Sequence, residues 1–189
     1  MSNTSILKSA EKPRLSVKVQ VLATITAIIA AVAVPQLFHL MGAVSGMGTA
    51  LGETFLPMHL PIILVGLLAG PYAGAVAGLL GPVASFALSG MPSAVMLPFM
   101  MIELCIYGLS AGLLRNVKMP SVAKVVVSQL AGRAVRAIAI LVSIFALGNE
   151  SLNVSVIWMS IAVGLPGLML QWCLLPLITF WVENRKSNE

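Results

Sequence analysis

The sequence predicts an all-α integral membrane protein with six transmembrane helices and both termini in the cytoplasm. Three observations support this fold class. The 189 residues are 59% hydrophobic and only 9% charged, with a mean hydropathy of +1.01, whereas a soluble domain carries about 25% charged residues. The apolar residues form runs near the length of about 20 residues that crosses a bilayer. Lysines and arginines cluster beside alternate ends of these runs, as expected for cytoplasmic loops.

Six apolar runs, separated by polar or glycine-rich linkers, are the predicted helices. The first is long and has no clear small-residue cleavage site, so we expect a retained helix rather than a signal peptide. Prolines within the runs should break or kink the helices, because proline removes a hydrogen bond and crowds the preceding turn. The prolines concerned are Pro61, Pro98, Pro166 and Pro176. In chain order, the runs are 19–38, 57–70, 72–88, 94–114, 122–147 and 154–182.

The charges outside these runs predict the orientation of the chain. Lysines and arginines occupy the N-terminal segment, the loop after the fourth helix and the C-terminal segment. The linkers after the first, third and fifth helices carry only Glu53 and Glu150 as charged residues. We therefore expect cytoplasmic tails at 1–18 and 183–189, flanking one transmembrane substrate-binding domain at 19–182. The glycine-rich linker at 39–54 then lies outside, where so long a loop is typical of a binding loop or lid.

Three charged residues lie deep within the predicted membrane helices, away from their ends: Glu103, Arg133 and Arg136. Glu103 is about 15 Å from the outer end of its helix and Arg136 about 20 Å from the inner end of its own, so the two can pair near mid-depth. A charge in hydrocarbon costs roughly a few kcal/mol, so all three should face the bundle interior. Two alternatives follow: a structural ion pair with the second arginine reaching to the interface, or an arginine that binds an anionic ligand group.

Further candidate ligand contacts lie near the predicted outer face. His59, between two prolines, either faces a cavity or bonds a backbone carbonyl that proline leaves free. The methionines near this face either fill gaps in the core or line an adaptable apolar pocket. Gln171 and Trp172 either reach the pocket or pack within the bundle. Beside the charged residues, the predicted contacts are Met47, Thr49, Phe55, Met58, His59, Met91, Met96, Gln171 and Trp172.

Several function classes find no support in the sequence. There is no GxxxxGK[ST] motif for ATP, and no serine, cysteine or histidine constellation for nucleophilic catalysis. Cys105 and Cys173 lie in apolar runs without metal-binding spacing. Aromatic residues are few and no basic stripe is present, so we expect no nucleic-acid partner. We also expect no metal and no cofactor.

Small residues recur at four-residue spacing on the first helix, at Ala23, Ala27 and Ala31. Such a row lets another helix approach closely. The partner helix belongs either to this chain or to another subunit.

Several stretches together resemble a known family. They are FLPMHLPIILVGLLAGPYAG, LSGMPS, PFMMIELCIYGLSAGLL, QLAGRAVR and GLPGLMLQ. They resemble the substrate-binding S components of energy-coupling factor (ECF) ABC transporters for vitamins, over residues 19–182. Where this chain reads IELC, the subgroup it resembles reads FELA, a change that leaves Glu103 in place.

The resemblance implies a function and a set of partners. It implies a non-enzymatic transport subunit of the bacterial cytoplasmic membrane that binds a vitamin near the outer face, with cobalamin first and pantothenate or a pyridoxine-like vitamin as alternatives. It implies a transmembrane coupling subunit, contacted by the alanine row, and two cytoplasmic ATPases that power uptake. The rival from another class is a membrane-embedded enzyme or a structural subunit.

Overall fold

A computed structural model describes residues 15–187, and their regular structure is entirely helical. Six stretches are long and apolar enough to cross a membrane, so the predicted fold class is confirmed. The second of these stretches consists of two helices, α2 and α3. The helices are α1 Val17–Val44, α2 Ala50–Phe55, α3 His59–Ala69, α4 Pro71–Ser89, α5 Leu97–Leu113, α6 Ser121–Phe145 and α7 Ser155–Ser187, with a 3₁₀ turn at Leu114–Asn116 after α5.

The glycine-rich linker is shorter than predicted. We expected an irregular segment at 39–54, but α1 continues through Pro35 to Val44, and α2 occupies Ala50–Phe55. Pro35 does not end α1. It is buried against neighbouring helices, and transmembrane helices tolerate proline where their surroundings satisfy the freed backbone group. The irregular part is therefore confined to residues 45–49.

A sharp corner at Leu56 separates α2 from α3. Leu56 has the left-handed φ of 49°, and its N–H donates to the Gly52 carbonyl, which ends α2. Pro57 follows, and its ring disfavours right-handed helical backbone angles at the residue before it, Leu56, so α2 ends there. The second span thus consists of two helices instead of one continuous helix.

Two of the prolines expected to break or kink helices start them instead. Pro98 lies in the first turn of α5, and Pro61 is the third residue of α3. N–H groups of a first turn have no intrahelical partner, so a proline there removes no hydrogen bond. The predictions of a break at Pro61 and a kink at Pro98 were wrong. Helix α7 includes Pro166 and Pro176 without interruption.

Helix α5 lies at the centre of the bundle, against α3, α4 and α6. It crosses α4 at Gly74 and Gly108, where a Cβ atom on either glycine would collide with the backbone of the other helix. Contacts this close take the place of the hydrophobic effect, which does not drive helices together in lipid. The crossing holds Glu103, one turn away on α5, at a fixed depth.

The alanine row of α1 packs inside this chain. Ala27 and Ala31 are buried in the core beside α3 and α4, and Ala23 is partly buried against the same core. The face of α1 left exposed carries bulky apolar side chains such as Leu22 and Ile29. The alanine row therefore packs within the bundle, which is one of the two predicted alternatives. The contact with a coupling subunit stays a prediction.

The predicted tails are described only in part. Residues 1–14, with the basic Lys8, Lys12 and Arg14, and residues 188–189 lie outside the described residues. At the C-terminus, α7 extends to Ser187, into the segment predicted as a tail. The cytoplasmic orientation of both ends remains a prediction.

Candidate ligand-binding site

A cavity of about 470 Å³ lies at the end of the bundle that carries the linkers after α1, α4 and α6. Its walls come from α1, the corner at Leu56, the turn between α4 and α5, α6 and the first turns of α7. This volume is within the range of about 300–1,000 Å³ typical of small-molecule sites. The predicted contacts that border the cavity are Met58, His59, Met91, Met96, Arg133 and Arg136.

A buried cluster of charges forms beside the cavity. Glu103 is fully buried and lies between the two arginines. Arg136 Nη1 donates to Glu103 Oε2 at 2.7 Å, and Arg133 Nε lies 3.4 Å from Glu103 Oε1. The predicted pairing of α5 with α6 is therefore present, and it includes both arginines.

Tyr107 supports the carboxylate from one helical turn away. Its hydroxyl donates to Glu103 Oε1 at 2.8 Å. The tyrosine ring lies directly over Gly132 of α6, where a Cβ atom would collide with it. The ring centroid is also 5.3 Å from that of His59, which is buried beneath the corner. Gly132 thus lets α6 approach closely enough for its arginines to meet Glu103.

Arg133 does not reach to the interface, contrary to one predicted alternative. Its Nη1 donates to the backbone carbonyl of Ser160 at 3.0 Å, which ties α6 to α7. Only 10% of its side chain is exposed, and 13% of that of Arg136. The cluster of two cations and one anion therefore retains one surplus positive charge inside the membrane span.

Three predicted contacts on the N-terminal side do not border the cavity. Met47 is exposed in the linker at 45–49. Thr49 donates its hydroxyl to Glu53 Oε1 at 3.0 Å. The Phe55 ring packs against Phe38, with centroids 5.6 Å apart, so it fixes α2 onto α1.

Gln171 and Trp172 also lie away from the cavity, in a hydrogen-bond network behind its wall. Gln129 Nε2 donates to Gln171 Oε1 at 2.9 Å, and Trp172 Nε1 donates to Gln129 Oε1 at 2.6 Å. Gln171 Nε2 in turn donates to the Leu56 carbonyl at 3.2 Å. Gln171 therefore holds the corner at Leu56 in place, and Trp172 orients Gln129 within the same network.

Sequence reasoning missed several residues of this region. Gln129 lies on the same face of α6 as Arg133 and Arg136, at positions i, i+4 and i+7 of the QLAGRAVR stretch. That spacing of polar residues in an apolar helix is a signal that would have found it. Tyr107, at i+4 from Glu103, carries the same signal. No comparable signal marks the other missed residues, which include Pro35, His39, Glu53, Leu56, Ser85, Ser93, Met100, Met159 and Ser160.

Comparison with known proteins identifies the family. A family model described as "ECF transporter, substrate-specific component" matches residues 15–179. The chain belongs to this family. The match covers all six spans of the S component almost to the end of α7. Searches of curated proteins and of solved structures gave no significant match.

Family membership establishes the broad role of the S component. It is a multi-pass membrane protein and a subunit for transport, not an enzyme. Members of the family bind a small-molecule substrate and work with an ECF module of a transmembrane component and ATPases. The cavity beside the charge cluster is the candidate site for that substrate.

Proposed function

We propose that this S component binds a vitamin in the cavity at the outer face and delivers it to the cell. The observation that carries the proposal is the cavity itself, which has the volume of a small-molecule site. A mainly apolar wall with a few convergent polar groups is typical of such sites. Here the polar groups include His59, Arg133 and Arg136.

The volume changes the order of the candidate vitamins. The resemblance places cobalamin first, with pantothenate and a pyridoxine-like vitamin behind it. A corrinoid ring with its nucleotide loop is several times larger than either alternative, and a cavity of about 470 Å³ holds only a part of it. The cavity therefore favours the smaller vitamins.

The proposed transport cycle depends on partner subunits. A transmembrane coupling subunit receives the loaded S component, and two cytoplasmic ATPases hydrolyse the ATP. The predicted contact with the coupling subunit is the row of Ala23, Ala27 and Ala31. Since α3 and α4 cover Ala27 and Ala31 in the isolated chain, this contact requires α1 to shift away from them.

Binding and uptake measurements test the proposal. The purified S component is titrated with pantothenate, pyridoxine and cobalamin by calorimetry, and uptake of the vitamin that binds is measured in cells that also produce an ECF module. We expect one vitamin to bind, and its uptake to require the module. Absence of binding to all three would contradict the proposed vitamin specificity, and uptake without the module would contradict the proposed cycle.

A further inference from the structure

The charge cluster is not neutral. Glu103 offers one negative charge to two arginines, and its carboxylate already accepts from Arg136 and from the Tyr107 hydroxyl. A net charge within a membrane span is costly unless a counter-charge lies nearby. Both arginines border the cavity, and the carboxylate on the same wall, Glu53, is exposed and accepts from Thr49, so a counter-charge for the buried cluster can be supplied from the cavity side without rearranging the helices.

Hydrogen-bond donors also remain free beside the cavity. Within residues 15–187, Arg133 Nη2 and Arg136 Nε have no acceptor. The nitrogens of the His59 ring, which is 2% exposed, make no hydrogen bond of good geometry to this part of the chain. Buried donors are rarely left unpaired in proteins. An acceptor that carries negative charge would balance the charge, and it would satisfy these covered arginine donors once the side chains turn towards the cavity.

The rest of the cavity wall has a different chemistry. Methionines from four segments and the Leu56 side chain form an apolar surface beyond the arginines. Methionine adapts to ligands of varied shape because its side chain is flexible and polarizable. The methionines are Met58, Met91, Met96, Met100 and Met159. The site therefore combines one charged end with an adaptable apolar body.

Building on the proposed function, we propose that the transported ligand is a small organic acid with a single carboxylate or phosphate group. Arg133 and Arg136 bind the acid group, His59 lies beside it, and the methionine wall holds the carbon skeleton. A single anionic group is specified because the surplus is positive. A carboxylate balances it one for one, whereas a phosphate monoester, with about −1.5 to −2 charge at pH 7, exceeds it. A ligand with several separated anionic groups would bring negative charge towards Glu103.

Paired ligands that differ only in charge test this assignment. Affinities are measured by calorimetry on the full chain for pantothenate against pantothenol, nicotinate against nicotinamide, and pyridoxine 5′-phosphate against pyridoxine. We expect the acid of one pair to bind at least about 30-fold tighter than its neutral counterpart, which corresponds to about 2 kcal/mol at 1.4 kcal/mol per tenfold. The pair that responds distinguishes a carboxylate from a phosphate.

A variant connects the preference to the arginines. In Arg133→Gln, the ratio of the two affinities should fall towards one, while the affinity for the neutral compound changes little. Met96→Leu is the matched control at the same cavity, and it should change both affinities by the same factor. If Arg133→Gln proves too unstable to purify, Arg133→Lys keeps the charge and should retain a preference of at least about tenfold for the acid.

The remaining outcomes would contradict either this inference alone or the proposed function together with it. Equal affinity for acid and neutral compound, or tight cobalamin binding without binding of any small acid, would overturn this inference and leave the transport function intact. Stabilisation by inorganic phosphate or chloride alone would also overturn it. If neither the small compounds nor cobalamin bind, the proposed function fails together with the inference.

Discussion

At the scale of single residues, Glu103 has the largest influence on the site. Its carboxylate contacts Arg136 at 2.7 Å, Arg133 at 3.4 Å and the Tyr107 hydroxyl at 2.8 Å. It is fully buried at the middle of α5. Without this anion, the two arginines would be neighbouring buried cations with no counter-charge, which is far more costly than the loss of the attraction itself.

Glu103→Gln should therefore destabilise the protein strongly. Removing one partner of a buried ion pair typically costs about 3–5 kcal/mol, and here two arginines are left. The measurement is thermal unfolding of the purified protein in detergent. Glu150→Gln, which changes an exposed carboxylate in the linker after α6, is the control and should alter stability by no more than about 0.5 kcal/mol. Equal melting temperatures for the two variants would contradict the central role of Glu103.

Part of the charge cluster could be predicted from the sequence, whereas the amide network could not. Ionisable residues are costly in lipid, so an interior pairing of Glu103 with an arginine was expected, but the alternative in which the second arginine reaches to the interface is wrong. An amide such as Gln171 is less costly, so its partner depends on how α7 is rotated against α6. That rotation follows from the close packing of Gly164 against the Leu56 side chain and of Gly167 against the backbone of Thr54 and Phe55, which hydropathy does not reveal.

At the scale of helices, the crossing of α4 and α5 depends on small residues. Gly74→Ala should force these helices apart, because the new Cβ atom would collide with the backbone at Gly108. Overpacking of this kind typically costs about 1–3 kcal/mol. Thermal unfolding in detergent measures the loss, and ligand affinity should fall with it since α5 carries Glu103.

A second glycine of α4 provides the matched control. Gly81 faces Ala31 and Ile62 at ordinary contact distances, so the same added methyl group fits there. Gly81→Ala should leave the melting temperature unchanged or raise it slightly, because alanine favours a helix more than glycine does. If both substitutions have the same effect, helix propensity and not the close approach of α4 and α5 determines stability.

A substitution in the alanine row of α1 can distinguish packing within the bundle from contact with the coupling subunit. Ala27 is 6% exposed among α1, α3 and α4, so Ala27→Leu should lower the melting temperature of the isolated protein and weaken ligand binding. Ile29→Leu, on the exposed face of the same helix, should change neither. Loss of uptake by Ala27→Leu with unchanged melting and binding would instead favour direct contact of the row with the coupling subunit.

Helix boundaries were harder to predict than the number of spans. Apolar length is enough to count six spans, because each crossing needs about 20 apolar residues. The ends depend on local geometry. Pro98 and Pro61 were expected to interrupt helices and instead lie in their first turns. Pro57 marks the position of the corner, but no residue type predicts the left-handed conformation of Leu56.

At the scale of the whole molecule, the position of the cavity and the distribution of charge should indicate the same orientation in the membrane. The cavity lies at the end with the linkers after α1, α4 and α6, and its walls include Glu53 and Ser93. The opposite end carries Arg115 and Lys118 between α5 and α6. Since basic loops remain in the cytoplasm, this distribution predicts that the cavity opens to the outside, as uptake requires.

Cysteine labelling of intact cells tests that orientation. In a Cys105→Ala, Cys173→Ala background, single cysteines replace Ser93, beside the cavity, and Lys118, in the basic loop; both positions are exposed. A maleimide that cannot cross membranes should label Ser93→Cys in intact cells, and Lys118→Cys only after permeabilisation, because the two positions lie at opposite ends of α5. The bound ligand should slow labelling of Ser93→Cys alone. The reverse pattern would place the cavity on the cytoplasmic side, and binding of an external vitamin there would be impossible.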